Sequence, residues 1–369
     1  MSLEAKVVAV DLDGTLIASD LLHESFWATL GSDRGALLRA FGKFVTGGRP
    51  ALKAALADGA EIDVAHLPYK EAALEEIRTA KARGDHVVLA TASNEKIAHE
   101  IADHLGLFDE VMASDGETNL KGRAKADALI EKFGEGGFAY LGDSAADLPV
   151  WAASGEAISI DAPANLRSRI TAPKVRHLKD AVGQGQTLRA GLKALRPHQW
   201  LKNLLVFIPM LLAHDFSGSV VLAAIAAFVS FSLVASSVYV LNDLVDLSAD
   251  RAHPRKRLRP FASGALPLSV GLWLAPGLLI AGGLVGTLAG PLFLLALLLY
   301  YLLTLAYSLV LKRITVIDIC MLAGLYTLRV IAGAAATMNA PSVWLLGFSI
   351  FFFLALAAVK RQAELVDLV

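Results

Sequence analysis

Apolar residues are distributed in two unlike ways along this 369-residue chain. Up to about Gly191 they alternate with charges in short runs, the texture of a mixed α/β protein. Beyond Trp200 charges fall into brief clusters between long uncharged stretches. In the first part Lys6–Val10 (KVVAV), His86–Ala90 (HVVLA) and Gly137–Leu141 (GFAYL) are short runs rich in β-branched and aromatic residues, and each leads into a polar turn. Helical patterning lies between them, around Tyr69–Arg83, Glu95–His104 and Gly122–Lys132. Strands alternating with helices predict a parallel, Rossmann-like sheet, whose ligands sit at the carboxyl ends of the strands. Between Asp20 and about Pro68 the pattern turns helical and amphipathic (LLHESFWATL, ALLRAFGKFV, PALKAALADG).

In the second part the charge-free runs predict membrane spans. Asn203–Ala213 is short and, with Trp200 and Lys202, reads as an interfacial entry helix continuing into the bilayer. Val220–Leu241 is long enough to cross. Ala265–Leu311 is about twice that length and breaks at Ala289-Gly290-Pro291, giving two crossings. Val316–Thr337 and Ser342–Val359 add two more, so the expectation is an all-α bundle of about six spans. Leu188–Arg196 reads as a basic amphipathic helix lying on the membrane surface.

Composition sharpens this division. A hydrophobic content of 55% and a mean hydropathy of +0.53 average over two unlike halves, and the length itself suggests about two domains. The net charge of −1 gives no bulk attraction for nucleic acid. One cysteine, Cys320, excludes internal disulfides and zinc-cluster motifs. The start MSLEAKVVAVDLDGT runs straight into a strand, with no signal peptide. Basic residues cluster before the first span, at 251–259, at Lys312-Arg313 and at Lys360-Arg361, whereas the intervening turns carry none. The positive-inside rule therefore puts these loops and the first half in the cytoplasm; the membrane expected is a bacterial cytoplasmic one.

Candidate chemistry falls into two groups. In the first half, Asp11 after the first strand is placed as a carboxylate nucleophile and Asp13 as general acid/base. Thr91 would hydrogen-bond phosphoryl oxygens, and a lysine would offset transition-state charge. Asp143, with Asp147 behind it, would complete a Mg²⁺ site with Asp11. These residues resemble the haloacid dehalogenase superfamily of phosphohydrolases, whose motifs appear as DLDGT, the strand ending in Thr91, NLKGRAKADAL and GDSAAD. The resemblance covers roughly residues 4–172 and implies that 20–68 is the small helical cap of that family. Lys121 and Lys125 both offer the motif lysine, and Lys121 is favoured.

The second group is Asn242–Gly264, NDLVDLSADRAHPRKRLRPFASG. Asp243, Asp246 and Asp250 are spaced three and four residues apart, on one face of a helix. Three neighbouring acids repel unless a cation neutralises them, and hard oxygen ligands suit Mg²⁺ carrying a diphosphate. Arg255, Lys256 and Arg257 follow to hold further phosphate charge. Inside apolar sequence, Asp318 and Arg329 share a helix face, since their separation is three turns. Tyr307, Lys312 and Asp318 form a second polar group, and Lys360-Arg361 with Glu364 a third.

NDLVDLSADR is similar to the NDxxDxxxD signature of UbiA-type intramembrane prenyltransferases. Arg196–Asn203 (RPHQWLKN), HPRKRLRPFASG, YSLVLKRITVIDI and VKRQAEL narrow the resemblance to the branch exemplified by decaprenyl-phosphate phosphoribosyltransferase. That branch joins a polyprenyl phosphate to phosphoribosyl diphosphate. The resemblance implies substrate-binding roles for Lys202, Asn203, Asn242, Arg255, Lys256, Arg257, Tyr307, Lys312, Asp318, Arg329, Lys360 and Arg361, and metal roles for Asp243, Asp246 and Asp250. It also implies a bundle of about nine spans, so about six would leave the chain incomplete at its C-terminal end. The aromatic branch, which prenylates acceptors such as 4-hydroxybenzoate, carries a second DxxxD motif; here Leu322 follows Asp318 where the second acid would stand. The expected organisation is a hydrolase domain at 1–175, a linker at 176–195 and a membrane transferase at 196–369, with the soluble domain acting as phosphatase or as a regulatory docking module. A transporter would also use spans and intramembrane charges, but it gives the acid cluster no role.

Overall fold

The computed structural model describes residues 6–60, 62–114, 119–180, 187–309, 311 and 315–366. It divides into two compact units. The first comprises Met1–Gly191 together with Asp243–Ser269, and the second Leu192–Asn242 with Val270–Val369. The segment carrying the second acid cluster, expected within a membrane domain at 196–369, thus belongs with the α/β unit.

In chain order the elements of the first unit begin with β1 (Val7–Val10), α1 (Leu21–Ser32), α2 (Arg34–Gly59), α3 (Glu71–Ala82), β2 (His86–Asn94) and α4 (Glu95–Leu105). There follow β3 (Glu110–Ser114), α5 (Arg123–Phe133), β4 (Phe138–Gly142), α6 (Leu148–Ala153), β5 (Glu156–Ile160), α7 (Ala164–Arg167), β6 (Lys174–Leu178) and α8 (Thr187–Ala194). The six strands form one parallel sheet, in the order β3-β2-β1-β4-β5-β6. Val8 and Val10 face one buried apolar layer and Ala9 the other, with Val88, Ala90 and Tyr140. Burial on both faces explains why these strands read as continuous apolar runs. Val10 pairs with Leu89 and Leu141, so the three central strands share one register at that level.

Asp20 caps α1 by accepting from the amides of Leu22 and His23. Asp33 separates α1 from α2, and α2 is kinked at Gly48, where φ is 67°. These two helices occupy the expected cap segment.

The second unit contains α9 (Ile208–Ala213), most of α10 (Gly218–Val245), then α12 (Leu268–Gly286), α13 (Pro291–Leu309), α14 (Thr315–Thr337) and α15 (Val343–Val366), with the short α11 (Leu247–Ala252) lying in the first unit. Among the described residues, five helices are long and apolar enough to cross a membrane, where about six were expected. The expected entry span is instead an 11-residue 3-10 helix, Pro197–Phe207, followed by the six-residue α9. Both are shorter than the roughly 20 residues that a crossing needs, and Pro197 and Pro209 open them.

Small residues let the apolar helices approach closely. Ser230 and Ser237 donate to the carbonyls of Gly282 and Ala275 at 2.7 and 2.6 Å. A Cβ on Gly333 would lie 2.0 Å from the Val206 carbonyl oxygen. Phe231 fills the interior against Phe293 and Tyr300.

Candidate active sites

That shared register brings Asp11, Thr91 and Asp143, one or two residues beyond Val10, Leu89 and Leu141, to one end of the sheet. Asp11, Asp143 and Asp147 each place a carboxylate oxygen within 4.8 Å of the others. Gly14 makes room for this cluster: its φ is +74°, and a Cβ there would meet Asp143 Oδ2 at 2.4 Å. Thr15 Oγ1 donates to Asp143 Oδ1 at 3.2 Å. Asp147 accepts from Tyr140 Oη at 2.8 Å and from the Ser144 amide at 3.0 Å, so it fixes the loop that carries Asp143.

The lysine at this site is Lys125 and not the favoured Lys121. Lys125 Nζ donates to Asp11 Oδ1 at 2.6 Å and to Tyr140 Oη at 2.9 Å, and the side chain is buried. Lys121 is exposed. The physical reason is position: Lys125 stands within α5, one turn in and facing the sheet, whereas Lys121 precedes the helix.

Burial raises Asp11 to about 6; Lys125 opposes the rise and Asp147 adds to it. Burial, then the charges of Asp11 and Asp147, raise Asp143 to about 7. Burial would lower Lys125, but Asp11 and Asp147 outweigh it and hold the ammonium above its usual range. Three carboxylates against one ammonium leave excess negative charge among hard oxygen donors. That donor set fits a divalent ion.

Asp13 is held on both oxygens, by the Leu21 amide at 2.8 Å and by the Ser93 hydroxyl. Burial, followed by the charge of Asp20, raises it to about 7, near the value that suits proton exchange at neutral pH. Thr91 is fully buried and its Oγ1 accepts from the Ser93 amide at 3.0 Å. Ser93, Tyr140 and Thr15 went unremarked in the sequence because hydroxyls in strands and turns carry no spacing signature.

The second acid cluster takes a form that the sequence did not predict. α10 ends at Val245, Asp246 is the N-cap of α11, and Asp250 lies within α11. Asp243 and Asp250 are buried and share Arg259 Nη1, at 3.1 Å from Asp243 Oδ1. Asp246 is half-buried. Among the described residues these acids do not form a three-carboxylate group like that at Asp11. Their arrangement fits a guanidinium bridge, and a metal ion would have to displace Arg259. Arg255, Lys256 and Arg257 are exposed.

In the second unit Asp318 and Arg329 both lie on α14 and both are buried, yet each has its own partners. Tyr307 donates to Asp318 Oδ1 at 2.6 Å, and Arg361 Nε is 3.9 Å from Asp318 Oδ2. Arg329 donates to Asn203 Oδ1 at 3.0 Å, to Tyr300 Oη at 3.0 Å and to the Leu325 carbonyl at 2.7 Å. Its guanidinium also lies over the rings of Tyr300 and Tyr326. Asn203 Nδ2 donates to Ser232 at 3.1 Å. Lys202 Nζ is 5.8 Å from the Tyr326 ring centre. Asn242 is half-buried and Lys360 exposed. Lys312 and the Glu364 side chain lie outside the described residues.

Two family models match. Residues 204–367 match the UbiA prenyltransferase family, and residues 8–151 match the haloacid dehalogenase-like hydrolases. An uncharacterized protein of Sinorhizobium fredii, y4nM, is 41% identical over 359 residues, 96% of this chain and 68% of its own length. The chain belongs to the UbiA prenyltransferase family, joined to a haloacid dehalogenase-like hydrolase domain. It is thus a UbiA-type enzyme with a second enzymatic domain.

Decaprenyl-phosphate phosphoribosyltransferase of Mycobacterium tuberculosis is 42% identical over 186 residues, 47% of this chain and 59% of that protein. The nodulation protein NoeC of Azorhizobium caulinodans is 39% identical over 176 residues, 48% of this chain and 57% of that protein. The UbiA-family chain thus spans under two thirds of the length of these two relatives. A substrate-bound phosphoserine phosphatase structure covers 47% of this chain and 93% of its own, at 19% identity and a TM-score of 0.33.

Proposed function

We propose that the chain transfers phosphoribose from phosphoribosyl diphosphate to a polyprenyl phosphate at the inner face of a bacterial cytoplasmic membrane, and that its hydrolase domain cleaves a phosphate monoester. The transfer reading is supported by the 42% identity to decaprenyl-phosphate phosphoribosyltransferase and by the acids and bases of Asn242–Gly264. The phosphatase reading is carried by one observation, the Asp11–Lys125 pair set among Asp143 and Asp147.

In the hydrolase domain the free oxygen of Asp11 attacks phosphorus, and the ester oxygen leaves. Lys125 keeps Asp11 anionic and oriented by occupying its other oxygen. Asp13, raised to about 7 and so partly protonated at neutral pH, is aimed by Ser93 and the Leu21 amide and gives its proton to the leaving oxygen. The aspartyl phosphate so formed is hydrolysed by water, with Asp13 now accepting the water's proton. Mg²⁺ bound by Asp11, Asp143 and Asp147 would supply positive charge to the phosphoryl oxygens. Thr91 would bind one of those oxygens.

In the transferase the lipid phosphate is already anionic and needs no strong base to attack C1 of the ribose, releasing pyrophosphate. Asp243, Asp246 and Asp250 would hold a metal-bearing diphosphate only with Arg259 turned away from them, and Arg255, Lys256 and Arg257 would meet its remaining charge. A linked order follows from the two chemistries, in which the phosphatase removes the ribose phosphate of the lipid product.

The test is a membrane assay with labelled phosphoribosyl diphosphate and polyprenyl phosphate, run beside 4-hydroxybenzoate with a prenyl diphosphate, with Asp243→Ala as control. Formation of the phosphoribosyl lipid that is lost in D243A supports the reading, and prenylated arene alone overturns it. Adding Asp11→Asn decides the second step. Accumulation of the phosphorylated lipid supports the phosphatase, whereas unchanged products favour a docking role.

A further inference from the structure

A buried ion pair joins two positions that the chain separates by 227 residues. Arg251, beside Asp250 in α11, donates from Nη1 and Nη2 to the two oxygens of Glu24 in α1, at 2.8 and 2.7 Å. Glu24 is 3% exposed and Arg251 7%, so neither charge is shared with bulk water. The third guanidinium donor, Nε, reaches the Ala262 carbonyl at 3.1 Å. Two close contacts flank the pair. A Cβ on Gly264 would meet Ala18 Cβ at 2.7 Å, and one on Gly31 would meet the Val245 carbonyl oxygen at 2.9 Å. At these two points the segment seats against the first turn and the cap helix closely enough that a side chain on either glycine would clash.

From Glu24 the connections run directly to the nucleophile loop. Ser19 donates its hydroxyl to Glu24, and the Ser19 carbonyl accepts the Gly14 amide at 3.0 Å. Gly14 is the residue whose missing side chain admits Asp143. Two residues on from Ser19, the first amide of α1, that of Leu21, fixes Asp13 Oδ1. Glu24 touches no reacting group. It sets the position of the turn that carries both Gly14 and Leu21.

We infer that Arg251, from the segment between two membrane-length helices, is a positioning residue of the hydrolase: through Glu24 it fixes the turn that aims Asp13 and holds Gly14. A bidentate guanidinium–carboxylate pair suits this role because it fixes direction as well as distance. Removing one partner leaves the other charged and buried, and the turn must shift to reach water. The inference rests on the phosphatase reading for its kinetic consequence but not for its structural one.

The test uses the full chain in detergent with Mg²⁺ and p-nitrophenyl phosphate, comparing Arg251→Lys, Glu24→Gln and the exchanged pair Glu24→Arg with Arg251→Glu. Misplacement of an acid by a fraction of an ångström predicts a kcat reduced by about tenfold or more in each single variant, with KM little changed. The exchanged pair should recover part of that loss. Hydrogen exchange of residues 13–22 should accelerate in R251K and E24Q while β4 stays protected. Single variants with kcat within about twofold of the parent and unaltered exchange at 13–22 overturn the inference. So does an exchanged pair no better than the product of Glu24→Arg and Arg251→Glu measured singly. Wild-type protein inert toward the ester, with the exchange response intact, removes the phosphatase reading and leaves the positioning of Asp13 standing.

Discussion

Lys125 and Lys121 are four positions apart and chemically identical, and only one has its ammonium against Asp11. Lys125→Ala should reduce phosphatase kcat by on the order of a hundredfold or more, because it strips the counter-charge from a buried carboxylate cluster. Lys121→Ala should change kcat by less than about twofold, as expected for a solvated side chain. Steady-state rates on p-nitrophenyl phosphate compare the two directly. Arg259 makes a different point. In Arg259→Gln two buried aspartates lose their shared cation, a loss of about 3 kcal/mol, and added Mg²⁺ should restore thermal stability more in this variant than in the parent. Equal responses to Mg²⁺ would remove the acids from consideration as a metal site. At the cap, a hydrogen bond to Asp20 raises His23 above the usual imidazole value of 6.5 against the opposing effect of burial. Stability from this raised group is complete below about pH 6.5 and is lost as pH climbs through the folded-state value. Asp20→Asn should return the His23 titration, followed by NMR, toward 6.5.

At the scale of elements, legibility followed hydrophobic continuity. β1, β2 and β4 are buried on both faces, so KVVAV, HVVLA and GFAYL stood out, although β2 continues through Thr91 to Asn94 where a turn was expected. β3, β5 and β6 (EVMAS, EAISI, KVRHL) are short, begin with charges and were not readable as strands. In β6, Arg176 instead pays for its polarity through Glu76 and Glu156. The long apolar helices were plain from length alone, but the stretch Pro197–Ala213 was not, because apolar composition cannot distinguish a 3-10 turn from the start of a span. Packing between these helices rests on absent side chains. Gly333→Ala should cost at least about 2 kcal/mol by forcing α14 away from the Val206 carbonyl, measurable as a lowered melting temperature in detergent.

For the whole molecule the sequence pointed to two acid clusters but not to what holds them in shape. The acids Asp11, Asp13, Asp143 and Asp147 were legible because DLDGT and GDSAAD stand at the carboxyl ends of apolar strands. The partners of Asp243 and Asp250 were not, since a guanidinium nine residues beyond Asp250 leaves no periodic trace. The Glu24–Arg251 pair was beyond reach, as nothing local relates residues so distant in the chain. If the two chemistries are separable, Asp11→Asn should abolish phosphate release and leave phosphoribosyl transfer within about twofold. Asp243→Ala should stop transfer and, with it, phosphate release from the lipid product, while hydrolysis of p-nitrophenyl phosphate stays within about twofold.

The shared register of β1, β2 and β4, with Val10 opposite Leu89 and Leu141, makes the hydrolase intolerant of any change in chain count. Side chains alternate across a strand, so one residue inserted ahead of Val10 would invert β1 about its axis. The valines would trade places with the alanine, and Asp11 would be carried past its neighbours to the wrong side. Substitutions in that strand can be absorbed by repacking, whereas insertions cannot.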